Sequence, residues 1–360
     1  MLLIYKYMLK RFVNTMLAAI FGLSVIFVVV NLLENLDDFI DAKASISVIA
    51  KYYLYFLPDI MKLLTPVAIL VSALFSVGNM SNLNEITAMK SGGMSIYRIM
   101  RPFIVLCIII SVGQIYFNGW VVPRANERKN AIEYQYLGAD DAKPIQNLYY
   151  RDSPTTNVLI MYYDIIGGVA RNTTIENYTG GEKSPRLLKR INAPEMRYDS
   201  VRHDWVMKDV VVRDFSGKNI QNYRIPEMRT KLNITAKKVA KMQKSTDVMT
   251  YGEYREYMDF LAMGGKDITQ LEIEYYGNYA FPFADIIVIL FAIPFASVKK
   301  KNGIAVQIAA AMIVAFTYLI FTKLGQSVGS SLHLNAVLCG WLANIVFLGV
   351  GITVILKTKT

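Results

Sequence analysis

Cysteine and histidine are nearly missing from this 360-residue chain, with two of each. Cys107 and Cys339 both fall in apolar runs, so no oxidised pair is expected, and the polar middle of the chain has no cysteine to staple it. That region must hold together by packing. His203 and His333 stand alone, outside any Cys/His spacing for a metal. His203 beside Asp204 reads as a surface turn rather than an active-site pair, and His333 as a solvated loop residue. There is no Gly-x-x-x-x-Gly-Lys-Ser/Thr loop to cradle nucleotide phosphates. The carboxylates form no catalytic set. We therefore expect no catalytic residue, metal or cofactor of the chain's own; if it is ATP-driven, a partner must hold the ATP.

What the chain has is apolar sequence in blocks. It is 54% hydrophobic with a mean hydropathy of +0.32. Six segments, about 12–33, 55–78, 102–122, 278–297, 303–323 and 335–356, each approach the ~20 residues a helix needs to cross a bilayer. In lipid the backbone must satisfy its own hydrogen bonds, so these are expected to be helices. They fall three and three around a polar insert. The expected division is 1–123 for spans one to three, 124–270 for the insert and 271–360 for spans four to six.

The formal charge of +11 is placed systematically. Lys6, Lys10 and Arg11 precede span one, and Lys90, Arg98 and Arg101 lie between spans two and three. Lys299, Lys300 and Lys301 separate spans four and five, and Lys357 and Lys359 follow span six. These are alternate ends of the spans, and the positive-inside rule makes that side the cytoplasm. The opposite short loops carry Glu34, Asp37, Asp38 and Asp41, with Lys43 and Lys51, and then only His333. Both termini are thus expected inside and the insert outside. The basic excess reads as membrane topology, with nothing pointing to nucleic acid. The first apolar run is too long for a cleaved signal peptide. Residues 2–12 mix aromatics, aliphatics and cations as an interfacial helix would.

The insert reads as strands at 157–164, 171–178, 196–201, 204–215 and 222–228, alternating or rich in β-branched and aromatic residues. Turn signals separate them at Gly167-Gly168, Gly180-Gly181, Asn192-Ala193-Pro194 and Ser216-Gly217. A β-sandwich, jellyroll or open barrel is expected. Residues 251–265 read as a helix ending on Gly264-Gly265. Three Asn-x-Thr triplets, at Asn172, Asn177 and Asn233, read as chance matches in a region rich in both residues. A binding or docking domain fits this insert, through an open sheet edge or an apolar interior.

Between spans two and three lies GNMSNLNEITAMKSGGMSIYRIMRP, 78–102. Ser81 or Asn82 is placed to cap a short helix containing Glu85 and ending at Ser91-Gly92-Gly93. A second short helix would then enter the membrane at Arg101-Pro102. Such an element could be the ball that seats in an ATPase socket, or an ordinary interfacial loop.

With these residues the chain resembles a known family, the paired lipopolysaccharide export permeases LptF and LptG. The resemblance runs over essentially the whole length. It rests on LPDIMKLLTPVAILVSALFSVG (57–78), Asn84 to Gly93, Trp120-Val121-Val122-Pro123, and the proline-bearing start of span four, YYGNYAFPFADIIVILFAIPFA (275–296). Phe321–Gly325 and Gly329–Asn335 look more like LptG than LptF. The resemblance implies six transmembrane helices with an inserted periplasmic all-β jellyroll-like domain. It implies a heterodimer with an LptF-like permease above a dimeric LptB-like ATPase that binds ATP and Mg. It also implies an LptC/LptA-like periplasmic bridge receiving lipopolysaccharide, and an inner-membrane location. A coupling helix at about 81–93 would use Glu85, Ala88, Lys90, Ser91, Gly92 and Gly93. Spans one and five would line the lateral gate.

Charges at membrane depth supply candidate substrate contacts. Asp59 and Lys62, at i and i+3 of span two, are either a self-neutralising pair or a cavity wall with Lys62 facing phosphate. Lys323, with Gln326, is a weaker candidate because its ammonium can snorkel. Arg124, Arg128 and Lys129 break the charge pattern after span three. They are either a solvated face or a cationic rim for lipid A phosphates. At the end of span one the family carries lysines where this chain has Glu34, Asp37, Asp38 and Asp41. Those acids are a solvent-facing cap, a divalent-metal edge, or a sign of a less anionic head group. A further alternative is that recognition has moved to Lys62 and Arg128. Alternative functions are a permease for another lipid or a lipoprotein, and a non-transport receptor. The short cytoplasmic segments argue against a receptor, and a secondary transporter would have only Asp59 as its ion site.

Overall fold

A computed structural model describes residues 2–137, 145–164, 167–180, 185–217, 219–235, 239, 245–297, 303–332 and 334–357. The chain divides into two compact units, Met1–Gly138 with Thr269–Thr360, and Ala139–Ile268. In the first, six helical stretches are long and apolar enough to cross a membrane. They are Leu3–Asp41, Ile46–Asn82, Ile96–Tyr136, Thr269–Ala296, Met312–Ser331 and Ala336–Lys357. The expected arrangement of six spans around an inserted β domain therefore holds. The helices outrun the apolar segments because i→i−4 bonding does not depend on side-chain polarity. After span three, the polar run VPRANERKNAIEYQY stays helical.

Ten α-helices lie wholly within the described residues. They are α1 (Leu2–Asp41), α2 (Ile46–Asn82), α3 (Glu85–Ser91), α4 (Ile96–Tyr116), α5 (Val122–Tyr136), α6 (Tyr251–Met263), α7 (Thr269–Ala280), α8 (Ala284–Ala296), α9 (Gly303–Ser331) and α10 (Ala336–Lys357). A π turn, Phe117–Val121, joins α4 to α5, and a 3-10 turn, Phe281–Phe283, joins α7 to α8. The main core of this unit joins Met8 and Phe12 of α1, the Ile69–Met80 face of α2, Ile86 of α3, Ile99 and Phe103 of α4, and Ile289 and Ile293 of α8. Phe12 meets Phe103 edge-on at 5.3 Å between centroids. In lipid such contacts act by close packing rather than by removal from water. The buried hydroxyls of Ser72 and Ser76 donate to the carbonyls of Ala68 and Ser72 within their own helix.

The second unit is one antiparallel sheet in sequential strand order. Its strands are β1 (Ile145–Ser153), β2 (Thr156–Asp164), β3 (Val169–Tyr178), β4 (Leu187–Asp199), β5 (Asp204–Asp214) and β6 (Gln221–Thr230). Val158 and Ile160 of β2, Ile191 and Met196 of β4, and Trp205, Met207, Val210 and Val212 of β5 share one buried core, the inward alternation shifting phase by one residue within β4 and within β5, there beside Asp209 at φ 51°. The sheet curls. Tyr163 on β2 and Trp205 on β5 are three strand spacings apart, about 14 Å in a flat sheet. Their ring centroids nevertheless lie 6.5 Å apart. The chain leaving β6 then returns to the end of β1. The Asn233 backbone N–H donates to Asp152 Oδ1 at 2.7 Å, and Asn233 Nδ2 donates to the Asp152 carbonyl at 2.8 Å. The buried Trp205 Nε1–H donates to the Ile234 carbonyl at 2.8 Å. Of the architectures expected, this nearest-neighbour order fits the open barrel; no Greek-key crossover occurs among the described strands.

Two pieces of sheet differ from expectation. β1 lies where no strand was read, and β4 begins at Leu187 rather than Met196. Neither stretch alternates cleanly, and cross-strand pairing with β2 and β3 supplies the order. α6 is as read. Thr250 and Glu253 cap it reciprocally, and Gly264 and Gly265 follow its last residue.

Candidate functional site

The helix containing Glu85 exists, with different ends. α2 runs unbroken to Asn82, so Ser81 and Asn82 belong to span two and cap nothing. The cap position of α3 is Asn84, left-handed at φ 60°, with no side-chain hydrogen bond to the helix. Gly93 follows at φ +83°, a conformation that costs glycine little and other residues more. The expected second short helix is the first turns of α4, which runs continuously through Arg101 and Pro102.

Ile86 is buried in the core and anchors α3. Glu85 is held by span one. The Tyr7 hydroxyl donates to Glu85 Oε1 at 3.2 Å, and Arg11 Nη1 donates to the Tyr7 hydroxyl at 2.8 Å. Arg11 Nη1 also lies 3.7 Å from Glu85 Oε1. Glu85 Oε2 is buried with no hydrogen-bond partner among the described residues. The segment read as an interfacial helix thus clamps the acid at the first position of α3, where a negative charge also suits the helix dipole. The free surface of α3 is formed by Thr87, Ala88, Ser91, Gly92 and Gly93, with Leu83 exposed beside it; Glu85 and Lys90 are half-buried.

The cations after span three meet span two. Arg128 lies over the Tyr55 ring at 5.5 Å and Lys129 over the Phe56 ring at 5.4 Å. Lys129 also pairs with Glu133 at 3.3 Å. Asp59 is one helical turn beyond Tyr55 and Phe56, and Lys62 one turn further; both are half-buried. The two candidate groups therefore share one helix–helix seam, α2 against α5. Arg124 is exposed one turn before Arg128.

The acids of span one sit at its end, with Glu34 within electrostatic reach of Tyr53 on α2. Phe39 is buried and meets Tyr52 at 5.4 Å, fastening the end of α1 to the start of α2. Glu34, Asp37, Asp38 and Asp41 are exposed on the arc opposite Phe39. Among the described residues no three His, Cys, Asp or Glu side chains are grouped to hold a metal ion. Lys323 is exposed on α9 and makes no ion pair among the described residues. Lys299, Lys300, Lys301, His333 and Lys359 lie outside the described residues.

The structure adds polar groups that the sequence reading passed over. Asp285 of α8 is fully buried, and neither carboxylate oxygen has a hydrogen-bond partner among the described residues. Gln114 and Asn118 are buried in the same condition, at the end of α4 and in the π turn. A lone acid inside FPFADIIVILFAIPFA was a visible signal for the first.

The comparisons with known proteins agree with this architecture. The chain is 18% identical to lipopolysaccharide export system permease protein LptG of Haemophilus influenzae over 277 residues, covering 75% of each chain. It is also 18% identical to the LptG of Escherichia coli K12 over 276 residues, 76% of this chain and 75% of that one. A family model described as lipopolysaccharide export system permease LptF/LptG matches residues 6–357. Six membrane helices, a β domain inserted between the third and fourth, and a match across almost every residue place the chain in one family: it belongs to the lipopolysaccharide export permeases LptF/LptG.

Proposed function

We propose that this chain is the LptG-type permease subunit of an ATP-driven ABC transporter. The transporter extracts lipopolysaccharide from the inner membrane and passes it to a periplasmic bridge. The observation that carries the coupling step is α3. It is a seven-residue helix anchored by Ile86, clamped through Glu85 to Tyr7 and Arg11, and presenting a small-residue face of Ala88, Ser91, Gly92 and Gly93. A rigid element with a shallow outer face suits docking in an ATPase groove. ATP and Mg belong to that LptB-like partner. An LptF-like chain completes the permease, and an LptC/LptA-like protein receives the lipid. Both termini and α3 are cytoplasmic and the β unit periplasmic, as the charge distribution implies. The LptG assignment draws on the names of the relatives and on Phe321–Gly325 and Gly329–Asn335.

The Arg124–Arg128–Lys62 side of the seam between α2 and α5 would meet the lipid phosphates, where Arg offers bidentate contacts. One observation favours a second reading. The exposed acids Glu34, Asp37, Asp38 and Asp41 would suit a less anionic lipid or a lipoprotein. Affinity purification from native membranes in mild detergent, with mass spectrometry of what accompanies the chain, tests the assembly. A P-loop ATPase plus a second six-span permease is the expected result. Recovery alone or with a signalling partner would remove the coupling reading of α3.

A further inference from the structure

Asp285 stands apart from every charge the permease reading uses. Its helix, α8, packs against α2, α4, α9 and α10. The apolar stretches of those helices, 64–77, 102–116, 303–322 and 336–356, contain no Asp, Glu, Lys, Arg or His. The titratable neighbours within electrostatic reach are the Cys107 thiol of α4 and the Tyr318 hydroxyl of α9. Tyr318 donates its proton to Asn344 Oδ1, and Asn344 Nδ2 donates to the Ala280 carbonyl. Neither neighbour brings a positive charge. Among the described residues an ionised carboxylate here would have no counter-charge and no hydrogen bond, a state that interiors avoid by neutralising the group.

A second observation extends the site. Ser111 Oγ donates to the Pro282 carbonyl at 2.7 Å and pins span three to the 3-10 turn of span four. Asp285 lies three residues beyond Pro282, and Gln114 three beyond Ser111 on a helix running the other way. The two groups are thus about 9 Å apart along the axes. Asn118 continues the row one turn further, within the π turn, a feature that often marks functional positions. Buried amides of this kind are the partners an internal water requires.

We infer that Asp285 is a proton-binding site of the membrane unit. Its carboxyl is carried as the neutral acid, and Gln114 and Asn118 form the polar file through which a proton reaches it. Ionisation then requires spans three and four to part at Ser111 and Pro282. The inference does not depend on the transported substrate.

The test uses the full chain in lipid nanodiscs and dicyclohexylcarbodiimide. The reagent adds to protonated carboxyls in apolar surroundings and remains as an N-acylurea, read by peptide mass spectrometry. Near neutral pH, modification of Asp285 is expected to exceed that of exposed Asp37 and Asp38 by at least about tenfold, and to be unchanged by sodium. Equal or absent modification of Asp285 overturns the inference. Suppression by sodium also overturns it, in favour of a metal-cation site. Asp285→Asn, which copies the neutral acid, is expected to fold with unchanged thermal stability; a misfolded variant would show that the charged form is needed.

Discussion

Replacing Glu85 with Gln probes the clamp on α3 while keeping its shape. Gln keeps one acceptor for the Tyr7 hydroxyl and loses the charge facing Arg11. The ion pair is long, 3.7 Å, with side chains 26% and 29% exposed, so its share is near the low surface range of about 0.5–1 kcal/mol. Changing the Tyr7 contact from a charged to a neutral acceptor removes about 0.5–1 kcal/mol more. The sum, roughly 1–2 kcal/mol, should raise local opening of α3 about tenfold, since ~1.4 kcal/mol is one decade. Hydrogen–deuterium exchange reads this directly. Peptides over 85–91 should exchange about tenfold faster, while those over 96–116, held by their own core contacts, stay unchanged. A double-mutant cycle with Tyr7→Phe should show coupling of about 0.5–1 kcal/mol. If α3 is the coupling element, Glu85→Ala should also lower export and ATPase coupling with the protein still folded in the membrane. Unchanged exchange over 85–91 in Glu85→Gln, or zero coupling in the cycle, would refute the clamp.

Three further outcomes follow from the packing and the charges. At Gly340 an added Cβ would stand 2.8 Å from Gly277 N and 3.0 Å from Tyr276 Cβ. Gly340→Ala should therefore push α10 from α7 and cost about 1–3 kcal/mol, seen as a lower unfolding temperature in detergent; an unchanged temperature would show that this contact yields freely. Trp205→Phe removes the donor to the Ile234 carbonyl and leaves a small void, and should destabilise the β unit by about 2–4 kcal/mol, read by limited proteolysis of the full-length protein. The Asp199 carboxyl is held below the usual carboxylate range by the Arg202 backbone N–H first, then by the Arg229 side chain and the Val201 N–H. A depressed carboxylate stabilises above its unfolded value of about 3.9 and loses that contribution as pH falls through the folded value. Asp199→Asn should accordingly be less stable than the parent at neutral pH, with the difference vanishing in acid; a constant difference would mean that charge is not the cause.

The spans were legible because a bilayer demands about 20 apolar residues in a row, and little else in a protein does. Their ends were not. α2 carries on through Ser81 and Asn82, and α5 carries span three through Arg124–Tyr136, because backbone hydrogen bonds continue wherever no breaker intervenes. The strands with clean alternation were readable, whereas β1 is ordered by its pairing with β2, a partner the local pattern does not reveal. The helix around Glu85 was visible in its Ser-Gly-Gly ending. The clamp was not, because Tyr7 and Glu85 are 78 residues apart. Asp59 and Lys62 stand out in the sequence as intramembrane charges, but the packing of Arg128 and Lys129 on Tyr55 and Phe56, one turn before Asp59, is tertiary. Asp285 was within reach of sequence reasoning, since an acid inside an apolar span is a functional candidate on energetic grounds alone.

The central claim is tested most directly by reconstitution. The chain and its co-purifying partners would be placed in proteoliposomes with lipopolysaccharide, and release of the lipid to a soluble bridge protein followed with and without ATP. The account predicts ATP-dependent release that is lost in Glu85→Ala and weakened in Lys62→Ala. Release of another lipid but not lipopolysaccharide, or release indifferent to ATP, would contradict it.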